Sequence, residues 1–193
     1  MREEILQAAD ELLREASPDD RSVADILRVS GVSRASFYFY FESKHEVLAE
    51  LVRRAVDIGR IAAQPWVDLG PDDDPEPAVR QAILDGARLW QQQAHVLRTI
   101  VENWQRDPTL TELWTDLMAS YTATTTDKIR ADQRVGLVRR DLDAYNVAAS
   151  LTWLGERLYY LASIDVPPFD HQPTLVDTMT SIWMSTVYGG TSS

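Results

Sequence analysis

The chain has 193 residues and a formal charge of −11, with 30 acidic against 19 basic side chains and no cysteine. That length fits one sizeable domain or a small domain joined to a larger one, and the missing thiols exclude disulfides, thiolate nucleophiles and cysteine-built zinc sites. The amino end, Arg2-Glu3-Glu4, is amphipathic rather than signal-like, and no stretch reaches the roughly 18 uninterrupted apolar residues of a membrane span, so a soluble cytoplasmic protein with no membrane partner is expected.

Apolar residues recur at helical spacing almost throughout, and no run alternates like a strand for long, which predicts an all-α fold of about nine helices. Ile5, Leu6, Ala8, Ala9, Leu12 and Leu13 mark the first helix. Ser22, three residues before Asp25, starts the next as a capping box, and Val23, Ile26 and Leu27 follow at i, i+3 and i+4. Gly31 ends it. Ser33 is a natural N-cap for Arg34-Ala35-Ser36-Phe37-Tyr38-Phe39-Tyr40-Phe41, where Phe37 and Phe41 are spaced to pack inward while Arg34 and Tyr38 share the other face. Ser43-Lys44-His45-Glu46 reads as a second capping box, with Val47, Leu48, Leu51, Val52 and Ala55 as the stripe behind it. Two short helices broken by a glycine, then a third helix start, form the layout of a helix-turn-helix reader of DNA.

Residues 64–77 (QPWVDLGPDDDPEP) concentrate Pro, Gly and Asp and predict a linker or loop. Helices are then expected over 77–93, with Val79, Ile83, Ala87 and Trp90, and over 95–105, with Val96, Leu97, Ile100, Val101 and Trp104, ended by Pro108. A long helix over 111–134 carries Leu113, Trp114, Leu117, Met118 and Tyr121. Two more, 143–163 and 174–188, flank Val166-Pro167-Pro168.

Residues 22–48 resemble the TetR family of transcriptional repressors through Gly31-Val32-Ser33, the aromatic run Tyr38-Phe39-Tyr40-Phe41 and the Ser43-Lys44 helix start, and the first helix fits as well. Leu113-Trp114, Tyr121, Glu156-Arg157 and the ending from Ile182 to Gly189 look like the ethionamide-repressor branch of that family. Two features depart from it: Ser17-Pro18-Asp19-Asp20 replaces a turn that usually contains Phe and Gly, and Tyr40 stands where many members have His. The resemblance implies an amino-terminal DNA-binding domain, residues 1–45, on a ligand-binding and dimerisation domain, residues 46–193. It also implies a homodimer on a near-palindromic double-stranded operator, joined through the last two helices; segments 143–163 and 174–188 are long, capped and more apolar than a monomer of this size requires, so arginine at Leu158 or Met179 is expected to give monomers or aggregate.

The overall acidity is unevenly spread: residues 1–60 carry −3 and residues 61–193 carry −8, so most of it lies outside the proposed reader. Arg34 can fork onto guanine or position against a phosphate; Ser36 can meet a base edge or backbone, and Ala35 only a thymine methyl. Tyr38 and Lys44 suit phosphate oxygens, Lys44 at a helix start whose free N–H groups already favour an anion, and Tyr40 suits backbone contact or core equally. In the second half, Trp90, Trp104, Trp114, Tyr121, Trp153, Tyr159, Tyr160 and Trp183 are either core or the walls of an apolar cavity, with Gln91, Thr125 and Thr152 as polar members. By resemblance, Trp114, Tyr121, Thr125, Thr152 and Trp183 fall near a tunnel for a lipophilic small-molecule effector.

No catalytic constellation, cofactor motif or metal-ligand spacing stands out. His45, His95 and His171 are scattered, Asp72-Asp73-Asp74 sits among prolines as a hydrated loop, and Glu156-Arg157 reads as a structural or interface ion pair. A helical enzyme acting on a hydrophobic substrate in the same aromatic cavity is the rival reading.

Overall fold

The computed structural model describes residues 1–15 and 22–189, with 58–63 as helical backbone only; the turn Ser17-Pro18-Asp19-Asp20 lies outside the described residues. Nine α-helices are present among the described residues: α1 Arg2–Glu15, α2 Val23–Ser30, α3 Arg34–Tyr40, α4 Lys44–Val67, α5 Pro75–Gln92, α6 Ala94–Asn103, α7 Pro108–Val135, α8 Ala144–Ser163 and α9 Gln172–Trp183. A 3-10 turn, Trp104–Arg106, follows α6, and a π-turn, Met184–Tyr188, follows α9.

The chain divides into two compact units, Met1–Asp57 with Gln93–Trp114, and Ile58–Gln92 with Thr115–Ser193. In the first, α1 packs on α2, α3 and α6. Ile5, Leu6, Phe37, Val47, Val52, Val96 and Ile100 are fully buried there, each worth about 1.5–3 kcal/mol for a large apolar side chain. In the second, α5 packs on α8 and α9. One cluster joins Trp66, Val79, Ile83, Leu158, Leu175 and Met179, and another joins Ile129, Val138, Ala148, Leu151 and Val187.

The helix starts follow their sequence signals. Ser22 and Asp25 form a reciprocal box, with the Asp25 N–H donating to Ser22 Oγ at 3.3 Å and the Ser22 N–H to Asp25 Oδ2 at 2.9 Å. Gly31 closes α2 at φ 68°, a conformation that favours glycine, and its N–H reaches Leu27 O at 3.0 Å. The box at α4 is displaced by one residue. Ser43 Oγ accepts the Glu46 N–H at 3.2 Å, but the Glu46 carboxylate takes the N–H of Glu42 at 2.6 Å rather than that of Ser43.

Several helix boundaries differ from the sequence expectation. The loop expected over 64–77 shrinks to 68–74, because α4 continues through Pro65 to Val67. A proline inside a helix gives up a main-chain hydrogen bond at a cost of about 3 kcal/mol. Here Trp66, 4% exposed, offsets that cost by packing into the second unit and donating its indole N–H to the Tyr188 hydroxyl at 3.0 Å. Pro75 and Pro108 begin α5 and α7 at the first helical position, where no N–H is needed. Asp74 caps the first through the Glu76 N–H at 3.0 Å, and Asp107 caps the second through the N–H groups of Thr109 and Leu110 at 3.0 and 3.2 Å.

Candidate DNA-reading face and effector cavity

Ser33 caps α3 by accepting the Ser36 N–H at 3.1 Å and donates its hydroxyl to Ser36 Oγ at 2.9 Å. The helix is held by Phe37, 0% exposed, and Phe41, 3% exposed, whose rings lie 6.1 Å apart. With those two inward, Arg34, Ala35 and Tyr38 are exposed and Ser36 is half-buried. Arg34 forms no ion pair among the described residues. Tyr40 is half-buried, edge-on to Phe39 at 5.0 Å. Lys44 is half-buried at the first position of α4.

The sequence reading gave no role to Phe39, the most exposed large hydrophobic among the described residues at 80%. Its position between two inward phenylalanines carries the signal: residues two apart on a helix point to different sides. An apolar ring held in water beside Arg34 and Tyr38 extends the same outward face.

Two histidine–aspartate pairs, unnoticed in the sequence because the partners are far apart, brace this unit. His95 Nε2 lies 2.7 Å from Asp10 Oδ1, joining α6 to α1. Burial pushes the Asp10 carboxyl up, but hydrogen bonds from His95 and Arg14 outweigh it and hold the group below its ordinary value. His45 Nδ1 lies 2.7 Å from Asp107 Oδ2, joining the residue after Lys44 to the cap of α7.

The expected effector residues fall in both units. Trp104, half-buried, and Trp114, 2% exposed, belong to the first; the Trp114 indole N–H has no partner among the described residues. Trp90, Tyr121, Thr125, Thr152 and Trp183 belong to the second. Trp90 stacks on Tyr159 at 6.2 Å, and with Gln91, Ala162, Phe169 and Leu175 the pair lines a concavity of about 50 Å³. That is room for a water or two, so a larger guest entering there has to part the two rings. Trp183 packs edge-on against Trp66 at 5.3 Å. Thr125 is buried and Thr152 and Tyr121 are half-buried, none of them lining that concavity.

Tyr159 occupies its place because Gly86 has no side chain: a Cβ there would sit 2.6 Å from the phenol oxygen, which donates to Ile83 O at 3.0 Å. Burial raises the Tyr159 phenol well above its ordinary value, with the charges of Asp85 and Tyr121 adding to the effect, so it remains a donor. The sequence also gave no warning of a buried polar network in this unit. Lys128 Nζ donates to Asp132 Oδ1 at 2.7 Å and to Leu69 O at 3.1 Å, while the Tyr188 hydroxyl donates to Asp132 Oδ2 at 2.8 Å.

Leu158 and Met179, expected in the dimer interface, are instead 7% and 2% exposed within the core of the second unit. On α8 the rings turned outward are Tyr145, 58% exposed, and Trp153, 39% exposed. Glu156 is buried, and desolvation raises its carboxyl despite Arg157 Nε at 3.8 Å. The described residues hold no cluster of His, Asp and Glu able to bind a metal, and no helix is long and apolar enough to cross a membrane.

A family profile described as the C-terminal domain of transcriptional regulator EthR matches residues 79–189, and one described as bacterial regulatory proteins of the tetR family matches residues 5–51. The chain is 30% identical over 185 residues to the HTH-type transcriptional regulator EthR of Mycobacterium tuberculosis, covering 96% of this chain and 86% of that one. Its fold is shared with a transcriptional regulator from Pseudomonas aeruginosa PAO1, at a TM-score of 0.77 and 18% identity over 98% of this chain and 90% of that one. It is shared too with a TetR-family regulator from Rhodococcus sp., at 0.76 and 18% over 95% and 98%. TetR-family proteins are DNA-binding regulators rather than enzymes, which removes the rival enzymatic reading. A capped reader in residues 5–51, a helical remainder matched over 79–189 and a mycobacterial relative aligned along almost the whole chain place this protein in the TetR family of one-component transcriptional regulators, beside EthR.

Proposed function

We propose that this regulator is a cytoplasmic repressor that binds a near-palindromic operator as a homodimer and leaves it when a lipophilic small molecule binds its helical domain. Residues 1–45 serve as the DNA-binding part and 46–193 as the ligand-binding and dimerisation part. The observation that carries the reading is the division of α3 into a buried anchor, Phe37 and Phe41, and an outward face of Arg34, Ala35, Tyr38 and Phe39. Arg34, Ala35 and Ser36 meet base edges in the major groove, Tyr38, Tyr40 and Lys44 grip phosphates, and Phe39 packs on sugar or a thymine methyl. Two such helices, one per protomer, need half-sites about 34–36 Å apart or a multiple of that.

In the second unit, Trp90, Tyr159 and Phe169 supply the rings and Gln91 a polar group for an apolar guest, while Tyr121, Thr125, Thr152 and Trp183 lie outside that concavity. A guest that parts the Trp90–Tyr159 stack favours a different arrangement of α5 and α8, and DNA is released to the extent that this arrangement binds the guest better than the DNA-competent one does. A thermal-shift screen of apolar compounds, followed by operator titration with each hit, tests this. A compound that raises the melting temperature should weaken operator binding; stabilisation with unchanged operator affinity, or no stabilising compound at all, contradicts the effector model.

A further inference from the structure

An arginine-lined concavity stands out on the second unit, which is otherwise acidic. Arg130 and Arg134, one turn apart near the end of α7, and Arg140, in the connection to α8, open onto one space of about 910 Å³ lined also by Gln133 and Asp127. All three arginines are exposed, and neither Arg130 nor Arg140 forms an ion pair among the described residues. Arg134 is fixed by its Nε, which donates to Arg130 O at 3.2 Å.

The connection presenting Arg140 is built rather than loose. Gly136 turns the chain at φ +86°, and Val138, 1% exposed, is pinned in the core. Gln133 spends both amide hydrogens on the connection, donating to Arg139 O at 3.0 Å and Leu142 O at 2.9 Å. Arg139 is engaged by Asp141 at 3.7 Å, which leaves Arg130, Arg134 and Arg140 to face the space, with Asp127 the one acid lining it among the described residues.

A cation in the last turn of α7 complements the helix dipole, which accounts for Arg134 taken singly. It does not account for Arg130, a turn further in, or for Arg140, in the braced connection beyond the helix end, because three guanidinium groups around one open space repel one another. The space therefore carries an uncompensated positive charge that a single carboxylate would not neutralise, in a chain whose net charge is −11. Guanidinium forks match the oxygens of phosphate groups in pairs.

We propose that this concavity is a binding site for a small molecule carrying two or more phosphate groups, held by Arg130, Arg134 and Arg140 and separate from both the DNA reader and the apolar effector site. Tripolyphosphate is the probe, titrated by calorimetry into the full-length protein at low ionic strength. One site per chain is expected. The Arg130→Ala/Arg140→Ala pair should weaken binding at least tenfold, and Gln133→Leu, which frees the connection while leaving every arginine, should weaken it by less. Arg34→Ala/Lys44→Ala should leave it unchanged. No measurable binding, or binding lost with the reader substitutions instead, overturns the proposal. So does a matching loss of operator affinity in Arg130→Ala/Arg140→Ala, which would make the surface a contact for DNA phosphates. Unaltered far-ultraviolet circular dichroism and melting temperature are required of each variant, and all the substituted arginines are exposed.

Discussion

Arg34 and Lys44 differ in where their charge can go, and that difference predicts two distinct losses. Arg34 stands one residue after the cap of α3 with no ion-pair partner among the described residues, so Arg34→Ala should remove about 1–3 kcal/mol of preference for the operator over mismatched sequences. Lys44, at the start of α4, should act on phosphate: Lys44→Ala weakens binding about equally on every sequence and lowers the salt slope by about one. Equilibrium titrations on matched and mismatched duplexes at several salt concentrations separate the two, and an equal loss on all sequences for Arg34→Ala would reduce it to a positioning contact. In the second unit, Gly86→Ala should cost about 1–3 kcal/mol by forcing Tyr159 off Ile83 O and off Trp90. Tyr159→Phe removes the nearest atom, so the same glycine substitution should cost less in that background; equal costs by urea unfolding would show that the two positions are independent.

At the level of helices, the pairing of α1 with α6 has a pH dependence whose sign is fixed. Asp10 is held below its ordinary value in the folded chain, so its contribution to stability is present above the unfolded pKa of about 3.9 and is lost as pH falls through the lower folded value. Asp10→Asn should therefore be less stable than the native chain at neutral pH, with the gap closing below about pH 4; a gap independent of pH by urea unfolding would mean that the carboxylate charge is not what matters. The aspartate was visible in the sequence, but its partner His95 was not, because nothing local connects residues 85 positions apart. The helices themselves were legible where the signal is local: the Ser22–Asp25 box, Gly31, the Ser33 cap and the buried spacing of Phe37 and Phe41 all appear where their sequence places them. Pro65 misled for the same reason in reverse. Its local cost argues for a break, and the contact that offsets it, Trp66 to Tyr188, spans 122 residues. The Lys128–Asp132 pair had an ordinary i,i+4 spacing that gives no hint of its burial.

For the whole molecule, the reader was legible because one short stretch carries it, whereas the cavity and the dimer face depend on which sides of distant helices meet. Leu158 and Met179 fit a helical stripe as well as any interface residue, yet they are spent on the core of their own chain. Tyr145 and Trp153 remain outward on α8, so Trp153→Arg should yield monomers that keep their helical content, read by sedimentation velocity and circular dichroism, while Leu158→Arg should unfold the unit. A dimer unaffected by Trp153→Arg would move the interface elsewhere. Whether two chains read duplex DNA together is decided by footprinting the purified protein on the intergenic DNA beside its own gene, with stoichiometry measured on the protected fragment. The predicted result is a salt-sensitive, near-palindromic footprint holding two chains per pair of half-sites, with half-site centres about 34–36 Å apart or a multiple of that. A single chain bound per site, or affinity no greater than for unrelated duplex at the same salt concentration, would contradict it.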